Sequence, residues 1–184
     1  MTQPLLLAMP DSDIAPVTEG AVFDRLLTDK QKGDIAEKAF DLAASLRRYT
    51  VCRPNGEVPD FDFIVMHPSG VWIVVQVKWA TKEGSRYKVP NNSGGVLYSA
   101  EAYEVLAVYL PDLNRWVFYT RAELGNRIKT AFIPAADRRR AAKPSAPDHR
   151  EIDNWNLLDE VASAKINSRP TTADVLPPLV QMST

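Results

Sequence analysis

The stretch from Phe61 to Trp79 constrains this chain more than any other. Two apolar runs, Phe61 to His67 and Val71 to Trp79, are separated only by Pro68-Ser69-Gly70. Runs rich in Val, Ile, Phe and Trp at this length read as strands, and a Pro-Ser-Gly connector suits a three-residue hairpin loop. If His67 pairs with Val71, Asp62 falls directly opposite Gln76, on one face and about 5 Å apart at the β-carbons. Along the second strand Val71, Ile73, Val75 and Val77 make an apolar face, whereas Trp72, Val74, Gln76 and Lys78 make a face that begins apolar and ends polar. A lysine carried into such a layer needs a partner, because a desolvated ammonium without one is strongly disfavoured or loses its proton.

Around this hairpin the pattern alternates between helix and strand. Ile35, Ala36, Ala39, Phe40, Leu42, Ala43 and Leu46 recur at helical spacing, so an amphipathic helix is expected from about Asp29 to near Arg48. Tyr49 to Pro54 reads as a short strand closed by a Pro-Asn-Gly turn. Glu83 to Gly95 reads as a polar, Gly- and Asn-rich mobile loop, and Tyr98 to Tyr103 as a short helix. Glu104 to Leu110 and Arg115 to Thr120 read as two more strands, and Asn156 to Ala164 as a short helix. The expected organisation is an N-terminal extension over 1–28, a core over 29–133, and a basic, Pro-rich extension over 134–184 with a loose end after Ser168. The core is an α/β (α+β) domain with a central mixed β-sheet flanked by helices.

Composition removes several classes of function. Cys52 is the single cysteine, so one chain forms neither a disulfide nor a cysteine-based zinc site, and it reads as a small buried apolar residue. His67 and His149, the two histidines, stand in polar, turn-like surroundings and read as surface residues. The net charge of −1 argues against indiscriminate coating of nucleic acid, but Arg121 to Arg150 holds eight Lys or Arg against three acids. No apolar run is long enough to cross a bilayer, so a soluble, cytoplasmic protein without a membrane partner is expected. The tryptophans, Trp72, Trp79, Trp116 and Trp155, are expected in the core or at its rim.

The order of motifs resembles the PD-(D/E)xK nuclease superfamily, in which an acid on one strand and an acid-x-lysine on the next build a divalent-metal phosphodiesterase site. Within it the chain is most similar to the branch of bacterial group I intron homing endonucleases that read Q-x-K at the second motif. The residues carrying the resemblance are KGDIAEKAF (Lys32 to Phe40), FDFIV (Phe61 to Val65), VQVKWA (Val75 to Ala80), YEVLAVY (Tyr103 to Tyr109) and the WVFYT strand after it. The resemblance implies a restriction-endonuclease-like core with Asp62 as the principal metal-binding carboxylate. It makes Gln76 a neutral ligand where most members have an acid, and Lys78 the group that positions the attacking water and steadies the phosphate. Glu37 would complete the acidic cluster. Mg²⁺, with Mn²⁺ as substitute, would be the cofactor, double-stranded DNA the substrate, and a homodimer or homotetramer the assembly. Arg86 and Lys88 in the polar loop, with Arg138, Arg139 and Arg140 in the basic tail, are the candidate DNA contacts.

Three readings stand beside one another at this point. The first is a Mg²⁺-dependent DNA endonuclease. The second keeps the fold and cuts branched DNA, as Holliday-junction resolvases do. The third is a non-catalytic nuclease fold that binds DNA or protein, in which Gln76 marks an eroded site and Lys78 forms an ordinary buried ion pair with Asp62. For Glu37 the competing reading is a solvated acid on a charged helix, beside Asp34, Lys38 and Asp41.

Overall fold

The computed structural model describes residues 26–56, 60–135 and 149–168. Its first element, α1 (Asp29–Leu46), begins where Thr28 closes a capping box. The Thr28 hydroxyl accepts from the Gln31 amide and the Gln31 side chain accepts from the Thr28 amide, which satisfies two of the helix's free N–H groups. Ala36, Phe40 and Ala44, one turn apart, are its buried face. The chain leaves the helix through Arg48 in the left-handed region, φ 66°.

Strands β1 (Thr50–Cys52), β2 (Phe63–Met66) and β3 (Trp72–Trp79) follow, and the hairpin register expected from the connector is the observed one, with Phe63 opposite Val75 and Met66 opposite Trp72. After β4 (Thr81–Glu83), β5 (Arg86–Pro90), β6 (Asn92–Ser93) and β7 (Val96–Leu97) come β8 (Val105–Leu110) and β9 (Arg115–Thr120). A single helical turn, α2 (Arg121–Leu124), leads to β10 (Lys129–Ala135), β11 (His149–Glu151) and the last helix, α3 (Asn156–Asn167). The central sheet runs β1-β2-β3-β8-β9, with β3 and β8 parallel and the other pairs antiparallel. That is the expected mixed sheet, but with α1 and α3 both on one of its faces.

Both faces of the sheet are covered, which is why every residue of β8 is buried. On one side Ile73, Val75 and Val77 pack with Phe40 of α1 and with Trp155, Leu158 and Ala162 of α3. Phe40 sits among Phe63, Trp116 and Trp155, with ring centroids 5.3 to 5.9 Å away. Part of the expected C-terminal extension thus belongs to this core. On the other side Leu106, Val108 and Leu110 pack with Tyr87, Val89 and Phe132 of a second sheet, ordered β11-β10-β5-β4.

That second sheet corrects the expected mobile loop. Within it Tyr87 and Val89 point inward while Arg86, Lys88 and Pro90 face solvent, the two-residue period of a half-buried strand. Gly84, at φ +60°, and Ser85 make the two-residue turn from β4 into β5. Tyr98 to Tyr103 forms turns and bends, not a helix, because β7 enters it and β8 leaves it with Ala102 bonded back to Ser99 over one turn only. Cys52 is exposed rather than buried: β1 is an edge strand, and Thr50 and Cys52 share its outward face. His67 is half-buried, bridging Ser69 and Asp159 at 2.8 and 2.9 Å, so it ties the hairpin to α3. The expected loose end after Ser168 lies outside the described residues, as does the N-terminal extension up to residue 25.

Candidate active site

Strand β3 changes partners halfway along. Its first half pairs with β2 up to Val75, and its second half pairs with β8 from Val75 onward. Beyond Phe63 the β2 chain diverges, and the β2 side of residues 76 to 79 lies open as a cleft. Asp62 sits at the fork. Its amide still donates to the Val75 carbonyl at 3.0 Å, while its carboxylate takes over the ladder. Oδ2 accepts from the Val77 amide at 2.7 Å and from the Gln76 side-chain amide at 2.5 Å. The sheet therefore fixes this carboxylate as firmly as a strand would be fixed.

Lys78, one residue pair further, enters the same cleft. Its ammonium donates to the Tyr98 hydroxyl at 2.8 Å and lies 5.1 Å from that ring's centre. The hydrogen bond thus goes to Tyr98, where the sequence suggested an ion pair with Asp62; its charge still acts on Asp62 through space. Glu37 reaches the cleft from α1, one turn after Gly33, which also lines it. Its carboxylate is paired with Arg53 at 3.1 Å. The cleft encloses about 480 Å³ and is lined by all four expected site residues, Glu37, Asp62, Gln76 and Lys78.

The electrostatics of the two acids point the same way. Burial pushes the Glu37 carboxyl above its ordinary range, the negative charge of Asp62 adds to this, and Arg53 opposes it. Burial likewise raises Asp62, against the Val77 amide, Lys78, Arg53 and the Gln76 amide. Two partly desolvated carboxylates that repel one another, with Arg53 on Glu37 and the Lys78 ammonium in the same cleft, each hold a proton more readily than in water.

Residues 27–143, more than half of the sequence, match the PD-(D/E)XK endonuclease family. The chain belongs to that family. Its fold is similar to that of a bacterial homing endonuclease, I-Ssp6803I, with a TM-score of 0.59 and 21% identity over 77% of this chain and 99% of that one. No curated protein matches the sequence.

Several residues in and around the cleft carry no signal in the sequence. Arg53, just past β1, grips Glu37, approaches Asp41 at 3.8 Å and lies over the Phe63 ring. Nothing in its neighbourhood of Pro and Asn announced this. Tyr98 is held by Arg121, a buried guanidinium that donates to the carbonyls of Tyr98, Ser99 and Gly125 at 2.6 to 2.9 Å. Asn92, Ser93 and Gly94 form the far rim of the cleft. Of the expected DNA contacts, Arg86 and Lys88 stand on the outer face of β5, and Lys88 is paired with Glu83 at 2.5 Å. Neither lines the cleft. Arg138, Arg139 and Arg140 lie outside the described residues.

A divalent cation fits the donor set. Among the described residues no cluster of three His, Cys, Asp or Glu side chains is assembled, so a fully protein-coordinated ion has no cage here. Mg²⁺ does not need one, since it binds through one or two carboxylates and keeps several waters. Asp62 and Glu37 supply hard oxygens that burial leaves hungry for positive charge. The Gln76 amide nitrogen is engaged by Asp62 and the Val77 carbonyl, so its oxygen is the end left to accept.

Proposed function

We propose that this chain is a divalent-metal-dependent endodeoxyribonuclease of the homing or restriction type, hydrolysing phosphodiester bonds of double-stranded DNA in the cleft beside β3. One observation carries the proposal: where β2 and β3 fork, Asp62 is locked to Gln76 and to the Val77 amide in the same cleft as Lys78 and Glu37. Asp62 and Glu37 would hold Mg²⁺ or Mn²⁺, with the Gln76 oxygen as a neutral third donor. When bound, such an ion supplies a Lewis acid for a phosphoryl oxygen and lowers the pKa of an attacking water.

The chain's own groups do the rest. Lys78, aimed by Tyr98, sets a positive charge against a non-bridging oxygen of the phosphate and orients the water. Arg53 keeps Glu37 from swinging out of the cleft. Gln76 brings no charge of its own, so Glu37 carries the electrostatic share that a second-motif acid supplies elsewhere in the superfamily. Cutting both strands of a duplex calls for two such sites, so the working form would be a homodimer or a homotetramer. A monomeric mass by light scattering, with both strands still cut, would overturn that.

The test is supercoiled plasmid incubated with the protein in Mg²⁺, in Mn²⁺ and in EDTA, beside Asp62→Ala and Lys78→Ala. Nicking or linearisation that needs the metal and vanishes in both variants is the expected result. Plasmid left supercoiled while the protein retards labelled duplex would replace this reading with a binding module. Cutting confined to four-way junctions would replace it with a resolvase.

A further inference from the structure

The rim of the cleft opposite α1 is a small two-stranded ribbon, β6 and β7, hydrogen-bonded to itself and, among the described residues, to no other strand. Its turn is Gly94-Gly95, both left-handed at φ +54° and +88°, the narrowest reversal two strands can make. A β-carbon built on either glycine would meet nothing within 4 Å, so the tip projects into open space. The ribbon carries no charged side chain: it reads Asn92-Ser93-Gly94-Gly95-Val96-Leu97. Val96 is 72% exposed, an apolar side chain held in water at the edge of a polar site. It lies directly opposite Ser93, which lines the cleft, and directly opposed residues project from the same face of a ribbon.

From this geometry we infer that the β6–β7 ribbon enters the major groove beside the scissile bond and reads base edges there, with Val96 against a thymine methyl. The inference rests on the nuclease reading above. A phosphate seated at Asp62 and Lys78 lies in the cleft that Ser93 and Gly94 also line, which brings the ribbon close to the bound strand. The major groove, about 12 Å wide, admits a two-stranded ribbon in undistorted duplex, whereas the minor groove, about 6 Å wide, would first have to be widened at a deformation cost. The thymine methyl is the one apolar feature of that groove, and an exposed valine is the complementary group. With no charge on the ribbon, its contribution is to sequence preference and not to phosphate-driven affinity.

The experiment presents a library of duplexes randomised over a full turn to the wild-type protein and to Val96→Ala. Sequencing covers both the cut products in Mg²⁺ and the duplexes retained by the same two proteins in EDTA. The wild-type is expected to prefer T at one position near the cut, and Val96→Ala to lose that preference by on the order of threefold to tenfold at that position alone. The salt dependence of binding is expected to stay the same. Because Val96 is exposed, matched thermal melts would show that the fold is intact. An unchanged preference in Val96→Ala, or a uniform salt-dependent weakening, would overturn the ribbon's role while the nuclease reading stands. Selection of duplexes without cutting would refute the nuclease reading alone, the ribbon then being judged on the retained set. A wild-type protein that neither cuts nor selects would refute both.

Discussion

Replacing Gln76 by Glu restores the charge that most PD-(D/E)xK sites carry, and the structure says what that costs without metal. The Gln76 amide nitrogen lies 2.5 Å from Asp62 Oδ2, and the side chain is only 4% exposed. Gln76→Glu turns a donor–acceptor contact into two carboxylates about 3 Å apart, worth about 5 kcal/mol of repulsion at an effective dielectric constant of about 20. The pair can escape by keeping a proton. Holding it at about pH 8, against an unfolded pKa of about 4.3, costs about 1.4 kcal/mol per pH unit, again about 5 kcal/mol in all. Solvent relaxation lowers both bounds, so the expected loss in EDTA is about 2 to 5 kcal/mol at about pH 8. The sign follows from the raised pKa. The folded state holds a proton that the unfolded state releases, so the penalty falls to about 1 kcal/mol at about pH 5 and grows as pH rises. Urea unfolding at both pH values, with EDTA and with excess Mg²⁺, measures it. Loss that is equal at the two pH values, or that Mg²⁺ fails to reverse, would refute the placement of Gln76 beside a cation site.

Three further outcomes follow from the same geometry. Tyr98→Phe removes the acceptor that aims Lys78, so kcat for cleavage should fall by on the order of tenfold with KM nearly unchanged, and an unchanged kcat would argue that Tyr98 merely packs. Arg121→Ala strands the carbonyls of Tyr98, Ser99 and Gly125, so urea unfolding should show a loss of about 3 kcal/mol or more, and Arg121→Lys should recover only part of it. Because burial holds both Asp62 and Glu37 above the ordinary carboxylate range, protons compete for the site at higher pH than usual. Metal affinity measured by calorimetry should therefore fall as pH drops toward that raised range, with proton release in buffers of differing ionisation enthalpy, and a flat profile there would contradict it.

The hairpin was legible because its period of two and its three-residue connector leave one sensible register, and with the register came the Asp62–Gln76 contact. Helix α1 was legible from Phe40 and its neighbours at helical spacing. What escaped were features decided by long-range packing. Tyr87 and Val89 carry only two inward residues between Gly, Asn and Pro, too short a run to announce a strand until Phe132 and the outer face of β8 supply its cover. Tyr98 and Arg53 come from segments without periodicity, and only the fold brings them to Lys78 and Glu37. Glu37 itself was ambiguous in sequence, since a helix with Asp34, Lys38 and Asp41 on its surface gives no sign of which acid turns inward. The fork of β2 from β3, which makes the cleft, has no sequence signature beyond the polar end of one strand face.

The central claim, that the fork at Asp62 is a cation site, is tested most directly by titrating Mn²⁺ into the purified protein and following the free ion by its paramagnetic resonance signal. Saturable binding that disappears in Asp62→Ala and weakens in Glu37→Gln, while Lys78→Ala retains it, is the predicted result. Wild-type protein that leaves all the Mn²⁺ free, or binding that survives Asp62→Ala undiminished, would contradict it.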